Sequence, residues 1–89
     1  MDITFDAAKD VANIAKHGVS LALARDLEWN TLRGKPDVRC EYGEVRTIGY
    51  AILMDRLYCV VFTERGEVSR IISLRKANPR EVRDYVANY

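Results

Sequence analysis

"RLYCVVFTERGEVSRIISLRK", residues 56–76, is the stretch on which the reading of this chain turns. Two runs rich in β-branched and aromatic residues, 57–64 and 67–76, flank Arg65–Gly66, which predicts an antiparallel hairpin. Upstream, residues 44–54 form a third strand-like run, joined to the second through Asp55–Arg56. In the last strand, alternation places Arg70, Ile72, Leu74 and Lys76 on one face, and Ser69, Ile71, Ser73 and Arg75 on the other. One face must pack on a core. Arg70 and Arg75 therefore reach the same ligand only if a bulge or a sheet edge interrupts the alternation.

Working outward, "ITF" (3–5) reads as an edge strand. Asp6 suits a helix N-cap, and Ala8, Val11, Ala12 and Ala15 follow at helical spacing up to Gly18. Ser20 opens a second helical stretch, "LALARDLEW", with Leu23 and Leu27 turned inward and Leu21 as a further candidate. Residues 30–43 hold Gly34, Pro36 and Gly43 and read as an irregular connection. Pro79 fits the first turn of a final helix, 79–88, with Val82, Tyr85 and Val86 on one face. The expected order is β-α-α-β-β-β-α, an α+β fold whose helices pack on one face of a small antiparallel sheet. Residues 1–89 are expected to form a single domain.

The composition is that of an ordinary folded domain: 48% apolar, 30% charged, net charge +1. No window approaches the roughly 18 apolar residues of a membrane span. "MDITFDAAKD" has no basic segment followed by an apolar run, so a signal peptide is not expected. Cys59 lies in the apolar run "LYCVVF" and reads as a buried free thiol rather than a partner for Cys40. A reduced, cytoplasmic protein follows. The charge is unevenly placed. Residues 1–35 hold five bases and five acids, whereas residues 65–83 hold six bases against Glu67 and Glu81. A local basic cluster on a neutral body suggests a defined phosphate site rather than general polyanion binding.

Neither a Walker loop nor a GxGxxG stretch is present, and one His with two distant Cys makes no zinc site. No metal or cofactor is expected. His17, before Gly18, reads either as a cation at a helix C-terminus or as a general acid or phosphate contact. Glu44 and Arg46, spaced i, i+2, read either as a surface ion pair or as a catalytic pair. Arg70 and Arg75 flank an apolar stem, where the planar guanidinium fork suits a phosphate gripped by two hydrogen bonds. The same cations would equally serve a solvated, partner-binding face.

Four stretches in order, "AKHGVS" (15–20), "GEVR" (43–46), "VVFTERG" (60–66) and "RIISLRKAN" (70–78), resemble the BrnT family of bacterial toxins. The likeness spans roughly residues 3–86. Residues 28–40, with "EWNTLRGKPD", lack the aromatic-Asp-Pro phrase of that family. The resemblance implies a RelE-like ribonuclease, the toxin of a type II toxin–antitoxin pair, that cleaves RNA and blocks translation without a metal. It implies neutralisation by a small BrnA-like antitoxin in a two-plus-two complex, with DNA bound only through that complex and no membrane. On this reading Arg70 and Arg75 stabilise charge, Glu44 is the base, Arg46 orients it or contacts the phosphate, and His17 is the acid. Arg65, Ser73 and Lys76 are the expected RNA contacts. The alternative is a non-catalytic binding module that docks a protein or nucleic acid through residues 70–76.

Overall fold

The computed structural model describes residues 2–37 and 45–88. Strand β1 (Asp2–Thr4) leads into helix α1 (Ala7–His17) and a 3₁₀ helix (Leu21–Asp26). Strands β2 (Glu28–Pro36), β3 (Thr47–Leu53), β4 (Arg56–Arg65) and β5 (Val68–Lys76) follow, and helix α2 (Pro79–Asn88) closes the chain. The strand order is β1-β5-β4-β3-β2. The three β2-to-β5 pairings are antiparallel, while β1 runs parallel to β5. The fold is α+β as expected, but the sheet is mixed.

The Asp6 side chain accepts from the Lys9 N–H at the start of α1, and Gly18 (φ 78°) ends it by donating to Ile14 O. The left-handed turn at Gly18 needs a residue without Cβ. The second helical stretch is 3₁₀ rather than α. Leu21, Ala24 and Leu27 are buried at i, i+3 and i+6, the repeat that a three-residue turn stacks in one line onto the sheet. Asp10 ties this turn to α1, accepting from the Ser20 hydroxyl (2.9 Å) and the Leu21 N–H (2.7 Å).

The core lies between this turn and one face of the sheet, where Ala51, Tyr58, Val60, Phe62, Ile71 and Leu74 point. Trp29 packs edge-on against Phe62, with ring centroids 5.4 Å apart. Each fully buried side chain of the Leu or Phe kind stabilises the fold by about 1.5–3 kcal/mol. Asn13, on the inner side of α1, is itself buried. Its amide donates to Leu74 O (2.8 Å) and Val19 O (2.9 Å) and accepts from the Leu74 N–H (3.2 Å). Strand β1 has ended by then, so one side chain takes over the pairing of the β5 edge.

Two other expectations are corrected. Residues 30–36 of the supposed connection, together with Glu28 and Trp29 from the end of the supposed helix, form strand β2, with a register shift between Glu28 and Arg33. The Thr31 hydroxyl bridges that irregularity, donating to Glu28 O and accepting from the Ile52 N–H. An edge strand tolerates Gly34 and Pro36, whose turn character is what suggested a loop. Helix α2 does not share the face of α1. It lies across the opposite face, where Ile52, Leu57, Val82 and Val86 line a shallow groove.

The decisive irregularity is in β5. Val61 pairs with Ser73 but Phe62 pairs with Ile71, so Ile72 is an extra residue, a β-bulge. Ile71 and Leu74 both reach the core because of it.

Candidate functional site

The bulge resets the alternation along β5. Before it, Ile71 faces in and Arg70 out; after it, Leu74 faces in while Ser73 and Arg75 face out. Arg70, Ser73 and Arg75 thus share the face that points away from the core, where uninterrupted alternation separates Arg70 from the other two. Lys76, expected beside Arg70, falls instead in the core-face register, opposite Tyr58. Cross-strand neighbours complete the outer face. Thr63 lies opposite Arg70, Val61 opposite Ser73, and Cys59 opposite Arg75, with Tyr50 one strand further on. Thr63 is buried, and its hydroxyl has no hydrogen-bond partner among the described residues.

Arg75 is held at its tip. Its Nη1 and Nη2 donate to Oε1 and Oε2 of Glu81 at 2.8 and 2.9 Å, and Nη1 also reaches Lys76 O at 3.3 Å. Glu81 accepts two further bonds, from the Tyr50 hydroxyl (2.8 Å) and the Asn78 N–H (2.9 Å). The Glu81 N–H donates in return to the Asn78 side chain (2.8 Å). This is a reciprocal cap, with Asn78 as N-cap and Pro79 in the first turn. Donation from Arg75 lowers the Glu81 pKa to about 2, with the Asn78 and Tyr50 bonds assisting against partial burial. A carboxylate so depressed keeps its contribution above its ordinary 4.5 and loses it only as pH falls toward about 2. Arg75 is shifted up by the same bond. Burial, then the bond to Glu81, raises Tyr50, so it remains a proton donor. Burial likewise pushes up Cys59, a free thiol in this row as expected.

His17 ends α1, with Lys16 beside it in the last turn. Partial burial, followed by the Lys16 and Arg75 cations, holds its pKa below 6.5. Its imidazole is mostly neutral at pH 7, and it is close enough to Arg75 to feel that charge. Arg46 precedes β3, where its carbonyl accepts from the Asp37 N–H (2.7 Å) and extends the β2–β3 ladder. Arg65 ends β4, exposed, in the same outward register as Thr63. Both Arg46 and Arg65 have interaction partners. Glu44 and Cys40 lie outside the described residues.

The structure therefore gathers Arg70, Ser73 and Arg75 on one face, brings His17 within electrostatic reach of Arg75, and sets Lys76 apart. Sequence reading missed Glu81 and Tyr50. The signal for Glu81 was present as Asn78-Pro79-Arg80-Glu81, a capping-box spacing directly after a cation-bearing strand. Tyr50 carried no such signal, since its role depends on sheet register.

Among the described residues no cluster of His, Cys, Asp or Glu is placed to hold a metal ion, and no helix is long and apolar enough to cross a membrane. Comparison with curated proteins gives no match. A family model described as "Ribonuclease toxin, BrnT, of type II toxin-antitoxin system" matches residues 5–81.

Proposed function

The chain belongs to the BrnT ribonuclease toxins of type II toxin–antitoxin systems, and from that membership we propose a metal-independent endoribonuclease centred on the outer face of β5. A protein antitoxin and an RNA target go with the family. The finer reading is a RelE-like enzyme of the cytoplasm that cleaves RNA and so blocks translation. A small BrnA-like antitoxin holds it in a two-plus-two complex, and that complex carries any DNA contact.

The observation that supports this reading best is the Ile72 bulge. It gives two guanidinium groups one face, with a hydroxyl between them, on a strand anchored by Ile71 and Leu74. Cleavage by 2′-hydroxyl attack removes the 2′ proton and bonds the 2′-oxygen to phosphorus. The bond to the 5′-oxygen then breaks, and that oxygen takes a proton, leaving a 2′,3′-cyclic phosphate. The added negative charge on phosphorus is what Arg70 and Arg75 offset. Glu44 is proposed as the base, with Arg46 orienting it, and His17 as the acid. The depressed pKa makes the His17 imidazolium a stronger acid than an unperturbed one, though a scarcer one at pH 7. Arg65 and Ser73 are proposed to contact the RNA from the outer face, and Lys76, in the other register but exposed at the end of β5, to reach it around the strand end.

The chemistry so assigned uses guanidinium, carboxylate and imidazole groups only. RNA cleavage by the purified chain should therefore persist in excess EDTA, with products ending in 2′,3′-cyclic phosphate. Loss of activity in chelator, restored by magnesium or zinc, would overturn the mechanism. A chain that binds RNA but cuts none, with ribosomes present or absent, would instead be a binding module docking through residues 70–76.

A further inference from the structure

Arginine offers two edges on which a bidentate acceptor can sit: the Nη1/Nη2 end and the Nε/Nη2 side. Glu81 occupies the end of Arg75 with both carboxylate oxygens, and Nη1 also reaches Lys76 O. No acceptor among the described residues meets Nε, so the Nε/Nη2 side remains for a second bidentate contact. The Arg75 side chain is about one-third exposed. A long side chain left to itself spreads over many rotamers, and holding it in one of them costs entropy. Here that ordering precedes any ligand.

We propose that Glu81 is a positioning residue for RNA cleavage, holding the Arg75 guanidinium so that its Nε/Nη2 side meets the scissile phosphate. The proposal rests on Arg75 acting in cleavage, as proposed above. Glu81 is suited to the task because it is itself immobilised from two directions. The Tyr50 hydroxyl reaches it from β3, and the Asn78 cap fixes it at the first turn of α2. A carboxylate with so low a pKa is a poor proton acceptor, which argues against a direct role as base. Glu81 also sets a negative charge beside the phosphate-facing cation. It therefore weakens the pull on bound RNA while keeping the cation where charge develops. Orientation and attraction are thus opposed in a single residue, and the two separate in kinetics.

The test uses purified full-length chain and an RNA substrate, with kcat and KM measured for Glu81→Gln, Tyr50→Phe, Arg75→Ala and the Arg75→Ala/Glu81→Gln pair. Glu81→Gln should lower kcat by about 10- to 100-fold, the loss typical when the group orienting a contact residue is removed. KM should stay the same or fall. Tyr50→Phe, which leaves the helix cap intact, should lower kcat in the same direction by less, and carries the test if Glu81→Gln does not fold. The double variant should be no slower than Arg75→Ala alone, because Glu81 acts only through Arg75. Wild-type kcat in Glu81→Gln or, should it not fold, in Tyr50→Phe would overturn the proposal. So would a loss carried by KM, or a double variant slower by the full product of the two effects. If Arg75→Ala cleaves at the wild-type rate, or the wild-type chain cuts no RNA, the proposed site falls and the role of Glu81 falls with it.

Discussion

Arg70→Ala should cut RNA on the order of a hundredfold more slowly than the wild-type chain while melting at the same temperature. Arg70 lies on the outer face of β5, and no hydrogen bond or ion pair holds its side chain among the described residues. Its removal therefore takes nothing from the fold beyond the packing of its stem. Losing one donor aimed at a developing oxyanion typically costs about 2.7–4 kcal/mol of transition-state stabilisation. Arg70→Lys should recover only part of the rate, since it restores the charge but not the planar fork. Arg75→Ala should be similarly slow but less clean, because it leaves the Glu81 carboxylate with only its Tyr50 and Asn78 donors. Toxicity on expression of the chain alone should fall in step with each rate. Two soluble variants that both cleave at the wild-type rate would show that the outer face of β5 is not where the chemistry happens.

The largest effect on stability should come from Asn13→Ala. The Asn13 amide is buried and satisfies both backbone groups of Leu74, toward the C-terminal end of β5, together with Val19 O. Truncation strands an N–H and two carbonyls, and each buried polar group left unpaired costs about 1–3 kcal/mol. A net loss of about 3 kcal/mol or more is expected, a drop on the order of 10 °C or more in a chain of this size. Asn13→Asp is the sharper control. A carboxylate accepts from the Leu74 N–H but faces two carbonyl oxygens, so burial should raise its pKa in the fold. Asn13→Asp should therefore be least stable at neutral pH and regain stability on acidification, as the protonated acid donates to one carbonyl. Urea melts at several pH values check both points. An Asn13→Ala protein as stable as wild type would mean that water replaces the amide at the β5 edge.

What was legible in the sequence was what depends on pattern: the two hairpins, α1 with its Gly18 stop, and α2 from Pro79 onward. Each is announced by residues within a few positions of it. The hairpin ends were displaced by one residue, with Met54–Asp55 and Gly66–Glu67 at the turns. What escaped depends on partners far away in the chain. A 3₁₀ helix differs from a short α-helix only in whether i+3 or i+4 neighbours face the sheet, and the sheet decides that. Strand β2 exists because Trp29 and Leu32 find the core and β3 supplies a ladder, neither visible within "EWNTLRGKP". The bulge is the instructive case. Residues 69–75 break strict alternation with an Ile-Ile pair, so the sequence contained the anomaly. Only the pairing with β4 shows that Ile72 absorbs it and turns Arg70 and Arg75 to one side. The site assignment depended on that one residue.

Helix α2 buries none of its residues completely. It is held by polar ties: Glu81 to Arg75 and Tyr50, and the Tyr85 hydroxyl to Thr31 O at 2.6 Å. Segments secured in this way open on their own, at a free energy well below that of global unfolding. Amides of residues 83–88 should accordingly exchange through a local excursion that leaves β4 and β5 protected. Glu81 departs with the helix. Rising urea should then lower kcat by about the 10- to 100-fold expected for loss of Glu81 while the sheet is still intact, which would make α2 a detachable control on a framework that does not need it.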